Sequence, residues 1–119
     1  MGITTLALDG YAAVVGGSQV QPTHIAIGTG NTAFTTADTT LDTETDRNSF
    51  TSIDLSVGST VTFVADFSAT EISGTSFIEF GILNSGTAGL MYNREVLTGS
   101  TVFDGTTELQ VQQSYKFYT

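Results

Sequence analysis

Two apolar runs flank a small polar loop between Ser76 and Leu97, and this constrains the chain more than any other stretch. The first run is Phe77-Ile78-Glu79-Phe80-Gly81-Ile82-Leu83 and the second Leu90-Met91-Tyr92-Asn93-Arg94-Glu95-Val96-Leu97, with Asn84-Ser85-Gly86-Thr87-Ala88-Gly89 between them. Apolar runs around a short glycine-bearing turn are a strong local signal for a β-hairpin. If Leu83 and Leu90 close it, Gly81 lies opposite Tyr92 and Glu79 opposite Arg94. Phe77, Glu79, Gly81 and Leu83 then share a face with Leu90, Tyr92, Arg94 and Val96. An opposite-charge pair across strands contributes roughly 0.2–1 kcal/mol when partly exposed. The chain has only three basic residues, so one placed here is expected to form a structural ion pair, Glu79 with Arg94, and not a catalytic group.

The rest of the chain reads as further strands. Thr23-His24-Ile25-Ala26-Ile27 is a short buried strand. Ile53, Leu55 and Val57 alternate, as do Val61, Phe63, Ala65, Phe67 and Ala69. Both sets face inward only if paired positions sum to an even number, because a one-residue slip turns a strand over. Val57 opposite Val61 and Leu55 opposite Phe63 meet that condition with a three-residue connection or a bulge. Leu109, Val111, Tyr115 and Phe117 alternate in the last strand. Segments 69–75 and 98–105 read as connections. Within 119 residues this predicts one all-β domain over 1–119, an antiparallel β-sandwich or flattened barrel of six or seven strands.

Two segments fall outside that pattern. In Ile3–Val15 the spacing of Leu8, Tyr11 and Val15 fits a short amphipathic helix, which Gly16-Gly17 would stop. Asn31–Asn48 shows no apolar period and reads as a long surface loop anchored by Phe34 and Leu41, of the kind that makes contacts.

Charge excludes several partners. The formal net charge is −9 and the isoelectric point near 4.1, so phosphate backbones and anionic membrane surfaces are repelled. An acidic chain nearly without lysine also suits a high-salt environment, with stability rising as salt screens its self-repulsion. No apolar run approaches the roughly 20 residues of a membrane span, and the N-terminus lacks the basic region of a signal peptide. With no cysteine, disulfides and thiolate metal sites are ruled out.

Motifs for chemistry are weak. Gly28-Thr29-Gly30-Asn31-Thr32-Ala33 matches a dinucleotide fingerprint in form and follows a strand. That mechanism needs a helix to open there, and Phe34-Thr35-Thr36 opens one poorly, so a turn with positive φ is expected and no cofactor. His24, the single histidine, is accompanied by no exposed nucleophile turn and reads as a packed residue. Asp38, Asp42, Glu44 and Asp46 lack EF-hand spacing and read as a solvated acidic loop, with a structural cation as the alternative. Nothing here predicts an enzyme.

Three signatures stand in a particular order: His24-Ile25-Ala26-Ile27-Gly28-Thr29-Gly30; Asp38-Thr39-Thr40-Leu41 with Glu44-Thr45-Asp46-Arg47; and Glu79-Phe80-Gly81-Ile82-Leu83-Asn84 with Leu90 and Arg94. From about Ile3 onward the chain resembles the N-terminal domain of phage tail-collar fibre proteins and related small virion proteins of tailed viruses. It departs from that family at Ile78, where an arginine is common, and at Ser76, where an aromatic is expected. The resemblance implies a structural β-domain on the virion, with Glu44, Arg47 and Glu79 as internal ties. It also implies other virion proteins and further copies of this chain as partners, a trimer above all. Leu8, Tyr11, Val15, Phe34 and Leu41 would meet those partners, with the loop's acidic residues at the rim. The alternative is a carbohydrate- or cation-binding module contacting a host surface, in which Tyr92, Tyr115 and Tyr118 would stack on sugars.

Overall fold

The structure, a computed structural model, describes residues 14–17, 20–55, 58–98 and 102–116. Seven strands and one helical turn are defined among them: β1 (His24–Gly28), β2 (Glu44–Ser49), β3 (Ser52–Asp54), β4 (Thr60–Phe67), α1 (Ala69–Ile72), β5 (Glu79–Leu83), β6 (Met91–Val96) and β7 (Leu109–Lys116). They form two antiparallel sheets, a four-stranded one in the order β2-β1-β5-β6 and a three-stranded one in the order β3-β4-β7. The fold is mainly β, in the manner of a sandwich.

Strand alternation builds the core between the sheets. Ile25, Ile27, Ile82 and Tyr92 from the first sheet meet Phe63, Ala65, Phe67, Val111 and Tyr115 from the second. Phe50 stacks on Phe63 at 4.7 Å between centroids, and Phe63 meets Tyr115 edge-on at 5.9 Å. Burying side chains of this size stabilises the fold by about 1.5–3 kcal/mol each. The segment after β4 is more than the plain connection its composition suggested. Ser68 caps α1, and Glu71 reaches back to the Ser68 N–H in a capping box that fixes the turn. The turn drives Ile72 fully into the core.

Three expectations need correction. Asn31–Asn48 is not all loop, because Glu44–Ser49 is the edge strand β2, paired with β1. An edge strand buries little, so its sequence, ETDRNS, carries no apolar alternation to read. The β3–β4 register keeps the expected even parity but is shifted: Ile53, not Leu55, faces Phe63. Ile53 and Leu55 stay 44% and 71% exposed, since β3 is a three-residue edge while β1 and β2 pack on β4. Val57 lies outside the described residues.

The central hairpin is also re-registered. Gly81 faces Arg94 and Glu79 faces Val96, and a bulge intervenes before Leu83 meets Met91. A bulge adds one residue to a strand and re-aims its side chains. Tyr92 therefore turns into the inter-sheet core, away from Arg94, with which it was expected to share a face.

A second, smaller core lies on the outer face of the four-stranded sheet. There Leu41, from the loop between β1 and β2, packs with Ala26, Leu83 and Met91. Gly81 makes the approach possible, since a Cβ on it would stand 2.9 Å from Leu41 Cδ2. Of the predicted N-terminal helix, only Val14 and Val15 are described, and both are helical. Leu8 and Tyr11 lie outside the described residues.

Candidate functional site

The outer face of the four-stranded sheet carries a carboxylate sealed from solvent. Glu79 is 0% exposed, yet both its oxygens are satisfied. Oε1 accepts the Asp42 N–H at 2.8 Å and Arg94 Nε–H at 2.9 Å. Oε2 accepts the Gly30 N–H at 2.9 Å and the Thr43 N–H at 2.6 Å. Four donors on two oxygens match the lone-pair capacity of an ionised carboxylate. Such charge-assisted bonds are what allow a charge to be buried at all.

Arg94, 2% exposed, extends this centre into the loop. Its Nη1 donates to Asp38 Oδ2 at 3.0 Å and its Nη2 to the Thr32 carbonyl at 2.9 Å. Asp38 in turn accepts the Thr35 N–H at 3.1 Å and the Thr35 hydroxyl at 3.0 Å. Burial acts to raise the Asp38 pKa. The Thr35 donors and the Arg94 guanidinium outweigh it and hold the carboxyl below its ordinary range. The segment from Gly30 to Thr43 is thus fastened at both ends and in its middle to one Glu–Arg pair.

The glycines of the nucleotide-like motif have their explanation here. Neither Gly28 nor Gly30 has a positive φ, contrary to expectation. Each is needed for close approach: a Cβ on Gly28 would lie 2.7 Å from Glu79 Oε2, and one on Gly30 would lie 2.5 Å from that oxygen. The Gly30 N–H that a phosphate would require is given to the protein's own carboxylate, and no helix is formed by the residues that follow.

A second tie lies beside the first. Arg47 grips Glu44 through two bonds, Nε to Oε2 at 2.8 Å and Nη2 to Oε1 at 2.6 Å. Residues three apart on a regular strand face opposite ways. A bulge, at which Ile27 pairs with Asp46 but Gly28 with Glu44, brings Glu44 and Arg47 to one face. Arg47 Nη1 also donates to the Ser85 and Ala88 carbonyls at 2.9 and 2.8 Å, holding the β5–β6 loop. Ala88 sits there at φ 51°, a left-handed conformation that costs a non-glycine residue roughly 1–2 kcal/mol.

No protein-family model matches the chain, and no curated protein does. The site must therefore be judged by its geometry.

That geometry is one of fastening. His24 hydrogen-bonds Thr23 Oγ1 through Nδ1 at 2.7 Å, and burial together with the nearby Arg47 lowers its pKa, favouring the neutral ring. Among the described residues no group of three or more His, Asp or Glu side chains is placed to hold a metal ion. Of the tyrosines proposed to stack on sugars, Tyr92 and Tyr115 are buried in the core, and the Tyr92 hydroxyl donates to the Val20 carbonyl at 2.6 Å; Tyr118 lies outside the described residues. Leu41, expected at a partner interface, is buried within its own fold, and Asp38, expected at the rim, is paired with Arg94. Phe34 is half-buried and Val15 91% exposed. Beside the loop a cleft of about 510 Å³ opens between Phe34, Glu95, Val96 and Leu97.

Sequence reasoning found Glu79, Arg94, Glu44 and Arg47 but missed the backbone donors at Gly30, Asp42 and Thr43, and Asp38 as the second anion of Arg94. Two glycines one residue apart, directly after a buried strand and in a chain with a buried glutamate, were the available signal.

Proposed function

We propose that this chain is a structural virion protein of a tailed virus. In this reading it is a small β-domain seated on the tail, collar or baseplate as a fibre adaptor, or on the capsid surface as a decoration protein. The observation that carries the reading is a convergence. The residues on which the resemblance to tail-collar fibre domains rests, Gly28 and Gly30, Glu44 and Arg47, Glu79 and Arg94, come together on one sheet face. Their hydrogen bonds are spent on holding two loops in place. A loop locked by a buried ion pair loses little entropy when it docks, which favours a permanent assembly contact.

The partners in this reading are other virion proteins and further copies of the chain, a trimer above all. Contacts run through two places, the cleft that Phe34 shares with the exposed Leu97 and the exposed Val15. Leu41 is no longer among them. The test is negative-stain imaging of purified particles labelled with antibody against this protein. Label at fixed positions on the particle, head or tail, is the expected result; particles that carry none would overturn the proposal.

A further inference from the structure

Among the described residues the two sheets end in four outer strands, β2 and β6, β3 and β7. Three of these edges are blunted. β2 carries Glu44, Asp46 and Arg47 and bulges against β1. β3 is three residues long. β6 bulges against β5 before Leu83 meets Met91. Such devices keep unpaired N–H and C=O groups from recruiting another strand. β7 has none of them. It runs for eight residues without proline, and its register with β4 is unbroken from Thr60–Lys116 to Phe67–Leu109. Its far edge faces no strand among the described residues. Its one charged residue is Lys116, at the last position.

The two faces of β7 are sharply divided. Leu109, Val111, Gln113 and Tyr115 turn inward, while Gln110, Gln112, Ser114 and Lys116 stand exposed. The exposed side chains form an ordered polar row. Gln110 Nε2 donates to Asp66 Oδ1 at 3.0 Å and Gln112 Nε2 to Gln110 Oε1 at 2.7 Å, and the Ser114 and Thr62 hydroxyls lie 2.7 Å apart. Glu108, directly ahead of the strand, is exposed as well. When two copies of β7 are laid antiparallel, edge to edge, one register sets Lys116 of each opposite Glu108 of the other. That same register centres the pair on Gln112, which meets its own counterpart. It sets Gln110 opposite Ser114, Val111 opposite Gln113 and Leu109 opposite Tyr115, so inner residues meet inner ones and outer residues meet outer ones.

We propose that β7 is a two-fold contact between copies of this chain, in which two β7 strands pair antiparallel about Gln112 and join their three-stranded sheets into one. The charge pattern selects a second copy as the occupant. A strand with an acid at one end and a base at the other complements itself twice about a two-fold axis, and opposite charges across a strand pair are favourable. Matched faces keep both four-stranded sheets on the same side, so no apolar set is turned to solvent. The two glutamines at the axis exchange amide bonds, as stacked glutamines do. Closure matters too, since a two-fold contact uses up both β7 edges at once. The net charge of −9 on each copy opposes the approach. At about 0.15 M salt the Debye length near 8 Å screens that distant repulsion and leaves the contact pairs. The contact uses none of the residues at Phe34, Leu97 and Val15, and it does not rest on the virion reading.

The chain has no cysteine, so a single introduced one reports the register in the full-length protein. Gln112→Cys should form a disulfide-linked dimer under mild oxidation, because directly paired residues have Cα atoms about 4.5–5.5 Å apart, within reach of a disulfide. Gln110→Cys should not, since it faces Ser114 and its own counterpart lies four positions further along, about 13 Å away. In the Gln112→Cys chain, Lys116→Glu places like charges opposite each other at both ends and should cut the dimer yield several-fold. Adding Glu108→Lys should restore it. All four side chains are exposed, so none of these changes touches the core. No dimer from Gln112→Cys, equal yields from Gln112→Cys and Gln110→Cys, or a yield unmoved by Lys116→Glu would each overturn the two-fold contact.

Discussion

Glu79 and Arg94 sit diagonally across the β5–β6 ladder: Arg94 faces Gly81, and its Nε reaches past that glycine to Glu79 Oε1 at 2.9 Å. Because Gly81 has no side chain, the guanidinium can lie over the strand and touch the carboxylate, Asp38 and Thr32 together. Removing one partner leaves a buried charge unpaired, which costs about 3–5 kcal/mol. Glu79→Gln and Arg94→Met are each expected to lose stability on that scale. Their double variant loses less than the sum, as residues sharing one network do. Urea denaturation of the four proteins measures this.

Gly30→Ala tests the close approach separately from the charge. Its new methyl meets Glu79 Oε2 at 2.5 Å and Asp42 Oδ2 at 2.7 Å. Overpacking of a tight site costs about 1–3 kcal/mol, so Gly30→Ala should melt clearly below wild type. Gly58→Ala, where nothing lies within 4 Å, should change stability by less than about 0.5 kcal/mol.

Arg47→Met should loosen the β5–β6 loop more than it destabilises the fold. It removes two bonds to Glu44 and two to the Ser85 and Ala88 carbonyls at the edge of the sheet, where Glu44 is partly exposed. The expected loss is about 1–2 kcal/mol. Amide exchange over 84–90 should accelerate by more than the global opening accounts for, because Ala88 no longer has a partner holding it at φ 51°.

Asp38 gives a pH dependence of definite sign. Its folded pKa lies below the ordinary 3.8, so the stability it contributes is present above that value and is lost as pH falls through and below it. Asp38→Asn should therefore be less stable than wild type at neutral pH, and the difference should shrink in acid. Melting temperatures of the two proteins over that range decide it.

Apolar alternation made the class of fold legible, and parity alone required Ile53 and Phe63 to share a face, which they do. What escaped was whatever apolar pattern does not encode. β2 is a polar edge strand, and α1 is a single turn fixed by a capping box, not by amphipathicity. The bulges that turn Tyr92 inward and bring Glu44 beside Arg47 are one-residue slips with no compositional mark. At the site, scarcity of basic residues drew attention to Arg94 and order of motifs to Arg47. The amides of Gly30, Asp42 and Thr43 could not be read, because any residue supplies an N–H and only the folded loop aims it.

The central claim is that Glu79 fastens the 30–43 loop to the sheet through those three amides. Native-state hydrogen exchange of wild type and Glu79→Gln tests it most directly. In wild type the Gly30, Asp42 and Thr43 amides should be protected although they lie in no strand or helix. In Glu79→Gln their protection should fall further than that of the β4–β7 amides, which report the body of the fold. Equal losses at the two places, or unchanged protection at Gly30, Asp42 and Thr43, would contradict the account.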